Sequence, residues 1–236
     1  MPDISSTRHL HIGAFIFPRM DQIDFTGPFE VLSQIPNSTF HVIGKTREPI
    51  RDINGLILTP EEIFAEAPQL DVLVVPGGYG QQDLMDDEVV LSFLRKQAAG
   101  AEYVFSVCTG ALVCGAAGLL RNVRSTTHWA SFDLLPYFGA IPVDSRVVVD
   151  GKHVSSAGVT AGIDGALTVA ALLRGDFEAQ RIQLMIEYAP DPAFHSGTPK
   201  TAPPEVLQAA REQGREVLAA RLETAIRIAR RLEIAI

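Results

Sequence analysis

Cys108 stands where a strand-like run meets a helical one, and that placement gives it chemical meaning. Val104-Phe105-Ser106-Val107 is largely apolar and strand-forming, Thr109-Gly110 follows at once, and small helical residues continue through 111–120. Strand, sharp turn and helix with Ser-x-Cys-x-Gly at the corner is the arrangement of the nucleophile elbow, whose central place is more often held by Ser. A side chain at such a corner stands above the sheet edge. The first amides of the new helix have no partner inside it, and its positive end favours a thiolate. These rules predict a thiol more acidic than a free one and nucleophilic near neutral pH. The competing reading is core packing, the ordinary fate of a cysteine. Cys114, mid-helix among Leu112, Val113 and Ala116 with no turn before it, is read that way.

Three other stretches carry residues of chemical interest. Asp24-Phe25-Thr26-Gly27-Pro28 follows the first strand-like run, 9–17. An Asp there either caps a helix or faces the crevice at the carboxyl ends of parallel strands, and spacing leaves both open. The strand at 71–75 closes on Pro76-Gly77-Gly78-Tyr79-Gly80. Its glycines allow close backbone approach and present amides, or simply make a turn. The run is not G-x-G-x-x-G, and no P-loop lysine follows, so nucleotide binding has little support. His128-Trp129 invites a Cys–His pairing, but no spacing brings the ring to Cys108. Trp129 reads as packing or pocket wall, and Asp164 as an acid in the first turn of a helix.

The elements that must hold these residues alternate. Strands are expected at 9–17, 39–45, 71–75 and 103–107, with a short one at 125–128. Hairpins are expected at 49–59 and 146–156, around Asn54-Gly55 and Asp150-Gly151. Helices are expected at 29–35, 87–99, 111–120, 130–138, 161–173 and 177–188, with one helical turn at 63–67. Most strands are continuous apolar runs, which calls for a parallel sheet covered on both faces. The expected fold is α/β, a flavodoxin-like three-layer sandwich with a mostly parallel central sheet and a cysteine elbow. Asp24, Gly77-Gly78 and Cys108 each follow a different core strand, so they open on one edge.

Residues 190–204 are proline-rich and irregular. From 205 onward apolar residues recur at 3–4 spacing, a long C-terminal helix with one apolar stripe. Arg211, Arg215, Arg221, Arg227, Arg230 and Arg231 read as its solvated face. A helix of ~30 residues spans ~45 Å, more than one small domain covers, so the stripe is expected to cross a dimer interface.

The 236 residues suit one large domain or one with an extension, and 47% hydrophobic content supplies a core. The net charge of −8 argues against nucleic acid as a partner. No leader and no membrane span is expected. Two cysteines make neither a disulfide framework nor a zinc site, and a reducing cytoplasm suits them.

Phe17-Pro18, Asp24 to Pro28, Pro76-Gly77-Gly78, Ser106 to Gly110, Ala117-Gly118-Leu119-Leu120, Thr126-Thr127-His128-Trp129 and Thr160 to Asp164 occur in order. Together they resemble the ThiJ/PfpI branch of the class I glutamine amidotransferase-like superfamily over about residues 9–190. Gln183 to Pro190, the proline-rich loop and the last helix are similar to the isonitrile-hydrating members. Thr109 stands where peptidase-like relatives have His, and Asp24 where relatives of the Parkinson-associated protein have Glu; both fit the hydratase pattern.

The resemblance implies a loose start at 1–8, a catalytic domain at 9–190, and a loop and helix at 191–236 packed on it or on a dimer partner. It implies hydration of an isonitrile by water to an N-substituted formamide. Cys108 attacks to give a thioimidate, Asp24 serves as acid and then base, and Thr109 gives a hydroxyl and an amide beside the sulfur. Gly77 and Gly78 give amides for developing charge, and His128, Trp129 and Val159 are pocket candidates. It implies no metal or redox cofactor, no nucleic acid or membrane partner, a homodimer and a cytoplasmic location. Two other readings follow from the same motifs. One is a ligand or redox sensor akin to the sensor domains of AraC-type regulators; the other is a thiol hydrolase of reactive carbonyls.

Overall fold

The structure, a computed structural model, describes residues 8–235; the expected loose start therefore lies outside the described residues, apart from Arg8. β1 (Leu10–Phe15) leads into α1 (Gln22–Leu32) and back to β2 (Ser38–Gly44). A hairpin of β3 (Ile50–Arg51) and β4 (Ile57–Leu58) precedes the edge strand β5 (Glu62–Ile63). β6 (Val72–Val75) is followed by α2 (Gln81–Leu84) and α3 (Glu88–Gly100), and β7 (Tyr103–Val107) by α4 (Gly110–Ala116). Then come β8 (Arg124–Ser125), a 3-10 helix (Trp129–Phe138) and β9 (Ile141–Pro142). The hairpin β10 (Val147–Asp150) and β11 (His153–Ser156) follows. The chain continues through α5 (Ala161–Arg174), α6 (Asp176–Met185) and α7 (Pro204–Arg231).

Seven strands form one sheet in the order β10-β11-β7-β6-β1-β2-β5. Every neighbouring pair in it is parallel except β10 with β11. The parallel centre follows from composition: every residue of β6 is fully buried, as strands covered on both faces require. α1, α5 and α6 pack together as one layer, and α3, α4, the 3-10 helix and α7 form the other. The winding of the chain reverses between β1 and β6, since β2 is added on one side of β1 and β6 on the other. The crevice of an open α/β sheet lies at such a point, beyond the carboxyl ends of the strands.

Three local expectations differ from the structure. The first helix is not 29–35 but Gln22–Leu32, with Pro28 inside it. Gly-Pro reads as a breaker, yet Pro28, the seventh residue of the helix, gives up its own bond to the Asp24 carbonyl and crowds that carbonyl without ending the helix. The turn at 63–67 exists, through bonds from Glu66 and Ala67 to the Ile63 carbonyl, but Glu62–Ile63 first pairs with β2 as an edge strand. The segment at 130–138 winds as a 3-10 helix containing Pro136. Both hairpins stand where Asn54-Gly55 and Asp150-Gly151 placed them.

Candidate active site

Four strand ends converge on Cys108. β7 delivers the cysteine itself, in a left-handed backbone conformation with φ +55°. A non-glycine residue held there marks local strain, which concentrates at functional sites. The conformation is held from both sides. The Cys108 amide donates to the carbonyls of Ser156 at 3.1 Å and Ala157 at 3.0 Å, while its carbonyl accepts from Thr127 Oγ1 at 2.7 Å. The elbow also needs glycines. A Cβ on Gly110 would lie 1.9 Å from the Val75 carbonyl oxygen, and one on Gly77 would lie 2.5 Å from Thr109 Oγ1. The α4 amino terminus therefore sits directly against the end of β6.

Asp24 comes from the first turn of α1 and is fully buried. The helix cap is Asp21, which accepts from the Ile23 amide at 3.1 Å, so Asp24 does not cap. Its Oδ2 accepts from the Gly77 amide at 2.9 Å, and its Oδ1 has no hydrogen-bond partner. The Cys108 thiol is its neighbour, interacting with the carboxyl without a well-formed bond to Oδ1. Burial, and then Asp21, raise the Asp24 carboxyl to about 8, while the Gly77 amide and the thiol pull it partly back. At neutral pH this carboxyl is protonated, an acid placed beside a sulfur.

The thiol does not show the acidity expected of it. Burial and the facing Asp24 push Cys108 well above its ordinary value; the amides of Val159 and Thr109 and the charge of Arg221 act in the opposite direction. The helix-end amides are present as the elbow geometry required, but desolvation and a like-charged neighbour outweigh them. Cys114 is fully buried, and burial pushes it up to about 12, in keeping with its reading as core.

The remaining candidates fall around this pair. Thr109 Oγ1 accepts from the Gly78 amide at 3.1 Å and donates to the Gly78 carbonyl at 3.3 Å, so its hydroxyl is directed at the loop and its amide at the sulfur. The Gly77 and Gly78 amides are both occupied, by Asp24 and Thr109. The amides acting on the sulfur are those of Thr109 and Val159. Val159, at φ +39°, is a β-branched residue in a conformation that such residues rarely adopt.

His128 caps the 3-10 helix, its Nδ1 accepting from the Ala130 amide at 3.3 Å. Burial, and then Arg221, lower its pKa to about 4, so it is neutral. His128, Trp129 and Val159 all line a cavity of about 590 Å³, together with Thr127, Phe132 and Arg211. Asp164 does more than face a helix dipole, since it pairs with Arg146 and accepts from the Tyr188 hydroxyl at 3.0 Å.

One residue was misread from sequence. Arg221, assigned to a solvated face, is only 6% exposed. Its guanidinium donates to Ser131 Oγ at 3.1 Å and to the Gly78 carbonyl at 3.1 Å. Nε reaches the Gln81 side-chain oxygen at 3.0 Å, with that amide turned to accept. The signal was available: position 221 is in phase with Leu218, Ala225 and Ile228 on the apolar stripe, and a cation on a buried stripe needs a reason. Among the described residues no group of His, Cys, Asp and Glu is arranged to hold a metal ion, and no helix is long and apolar enough to cross a membrane.

A strained cysteine elbow beside a buried carboxyl, at the reversal point of a parallel sheet, is the construction of one class of α/β proteins. The chain belongs to the DJ-1/PfpI family, whose pattern matches residues 11–172. Within it, the chain is 50% identical to the isonitrile hydratase of Pseudomonas putida over 95% of its own length and 99% of that protein's. The crystal structure of a ThiJ/PfpI family protein from Pseudomonas syringae superposes with a TM-score of 0.91 at 36% identity, covering 95% of this chain and 94% of that one. The HTH-type transcriptional regulator GbdR of Pseudomonas aeruginosa is 29% identical over 53% of this chain, which spans only 34% of the regulator.

Proposed function

We infer that the protein is an isonitrile hydratase, converting R–N≡C and water to R–NH–CHO. The observation that carries this reading is the 50% identity to a hydratase along nearly the whole of both chains, with Cys108 and Asp24 in contact at the sheet edge. The fold alone would serve equally well for a sensor or a carbonyl hydrolase. The match to the regulator covers only about half of this chain.

In the mechanism we propose, the pair works with one proton between its two members: Asp24, the more acidic, is carboxylate and Cys108 keeps its thiol proton. Asp24 takes that proton from the thiol and gives it to the terminal isonitrile carbon as the Cys108 sulfur bonds to the same carbon. The product is a thioimidate, R–N=CH–S–Cys108, and Asp24 is left as carboxylate. Asp24 then takes a proton from water as the hydroxyl adds to the thioimidate carbon, and the imine nitrogen takes a proton from Asp24. Asp24 takes the proton of the adduct's hydroxyl as the C–S bond breaks and returns it to the departing sulfur, which releases the formamide and restores the one-proton pair. The Thr109 and Val159 amides, which favour negative charge on sulfur, support sulfur as nucleophile and leaving group. Gly77 holds Asp24, and Gly78 and the Thr109 hydroxyl hold one another, so these three act as scaffold for the reacting pair.

The cavity next to the elbow is lined by Trp129, Phe132 and Val159 together with Asp133, Asp144, Arg146 and Lys200, and not by Cys108 or Asp24 themselves; it supports an R group that extends away from the sulfur to meet the two aromatic rings. Turnover of methyl, cyclohexyl and benzyl isonitriles should rise in kcat/KM along that series. The proposed division is a catalytic unit at 9–190 with 191–236 packed on it. A homodimer in the cytoplasm completes the proposal. Exposed apolar residues on α6, Phe177 at 81% and Leu184 at 79% among them, support burial against a second copy.

The deciding experiment mixes purified protein with an alkyl isonitrile and follows the N-alkylformamide by NMR. Cys108→Ala is the control, and glyoxal is assayed in parallel. Formamide from the wild type alone is the expected result. Folded protein with a titratable Cys108 and no formamide would overturn the reading.

A further inference from the structure

Arg221 brings a full positive charge into the interior and meets only neutral acceptors there: Ser131 Oγ, the Gly78 carbonyl and the Gln81 side-chain oxygen. Among the described residues no carboxylate pairs with it. A buried cation without an anion is costly, because neutral dipoles replace its hydration incompletely. The Gly78 carbonyl that it binds also accepts from the hydroxyl of Thr109, the residue next to the nucleophile. The Gly77 amide, one residue earlier, holds Asp24. The guanidinium is thus tied to the short loop that holds Asp24 through Gly77 and the neighbour of Cys108 through Gly78.

We propose that Arg221 is a positioning residue of this site: its unneutralised guanidinium, anchored through Gly78 on the Cys108 side, favours negative charge on the sulfur as the thiol gives up its proton to become the nucleophile. The charge does not touch the reacting carbon and acts through the thiol. Its reach is consistent with the titration of its neighbours. Arg221 pulls Cys108 downward, and Cys108 and then Tyr79, a second titratable group facing it, pull Arg221 upward against the burial that lowers it. The groups that shift Asp24 are burial, Asp21, Gly77 and Cys108. His128, on the far side of the loop preceding the 3-10 helix, is also lowered by Arg221.

The test has two arms, and only the catalytic one rests on the hydratase reading. In the first, Cys108 is alkylated with iodoacetamide across pH in the absence of substrate and followed by mass; fully buried Cys114 stays unmodified. Arg221→Met removes charge and hydrogen bonds, Arg221→Gln removes charge but keeps a donor toward Gly78, and Arg221→Lys keeps the charge. The neutral variants are expected to move the alkylation midpoint up by about one pH unit, with Arg221→Lys staying close to wild type. Should Arg221→Met fail to fold, Arg221→Gln decides.

A folded neutral variant with the wild-type profile would overturn the proposal. So would an Arg221→Lys profile displaced as far as that of Arg221→Gln, because the role would then be packing rather than charge. In the second arm, kcat/KM for an isonitrile at pH 7.5 is expected to fall about tenfold in the neutral variants, with KM little changed. If the wild type forms no formamide, the hydratase reading fails while the alkylation profile still decides the part played by Arg221.

Discussion

At Asp24 the burial that makes a carboxyl into an acid also makes it a burden on the fold. Its pKa is about 8 in the native protein and about 3.9 in an unfolded chain. Between those values the native state holds a proton that the unfolded state has lost, so stability falls as pH rises through this window and levels off above it. Asp24→Asn should therefore gain on the wild type between pH 6 and 8, by up to about 1.4 kcal/mol per unit, in urea unfolding at each pH. Parallel losses in the two proteins would assign the effect to another group.

The same substitution should abolish turnover, since an amide supplies no proton. Below about 8 both Cys108 and Asp24 are protonated, and the working form holds one proton. Hence kcat/KM should increase from pH 6 toward 8, as the pair gives up its first proton. A flat profile over that range would contradict a shared proton. Cys108→Ala should be inactive and as well folded as the wild type by circular dichroism.

Elements explain which parts of the site could be read ahead of the structure. Strand, corner and helix around Cys108 are contiguous, so apolar pattern and glycine placement were enough to find the elbow. Asp24 was found as a candidate, but its helix was drawn too late because Gly27-Pro28 suppresses the helical pattern; the capping duty belongs to Asp21. Val159 was named for its place in the pocket, and its strained backbone is a product of packing between β11 and α5 that no local rule encodes. Arg221 was missed because residue type was allowed to override phase on the stripe.

The elbow itself makes a firm prediction. With the Val75 oxygen 1.9 Å from the Cβ position of Gly110, Gly110→Ala cannot be accommodated without moving α4 off β6. Its cost should be on the order of 2–4 kcal/mol in chemical denaturation. A loss below half a kcal/mol would mean that the helix end shifts freely.

On the scale of the molecule, α7 is two things at once. Its C-terminal half is core: Ala225, Ile228 and Ala229 are buried, and the helix packs on the 3-10 helix. The turns before Ala225 carry exposed Val206, Leu218 and Leu222, in line with a second copy completing the stripe. A chain shortened to residues 1–203 should lose cooperative unfolding and precipitate, as judged by calorimetry and light scattering. The intact protein should sediment at twice the monomer mass. A monomer at micromolar concentration would remove the dimer from the account.

The order of the chain has a bearing on how such a site is made. The elbow strand and its helix emerge from the ribosome well before α7, which fills part of the core and brings the guanidinium tied to Gly78. A nascent chain can close the corner around Cys108 while that side of the loop is still open to water. If Arg221 acts on the sulfur as proposed, the nucleophile depends on a contact between segments more than a hundred residues apart, and closing the corner does not by itself complete it.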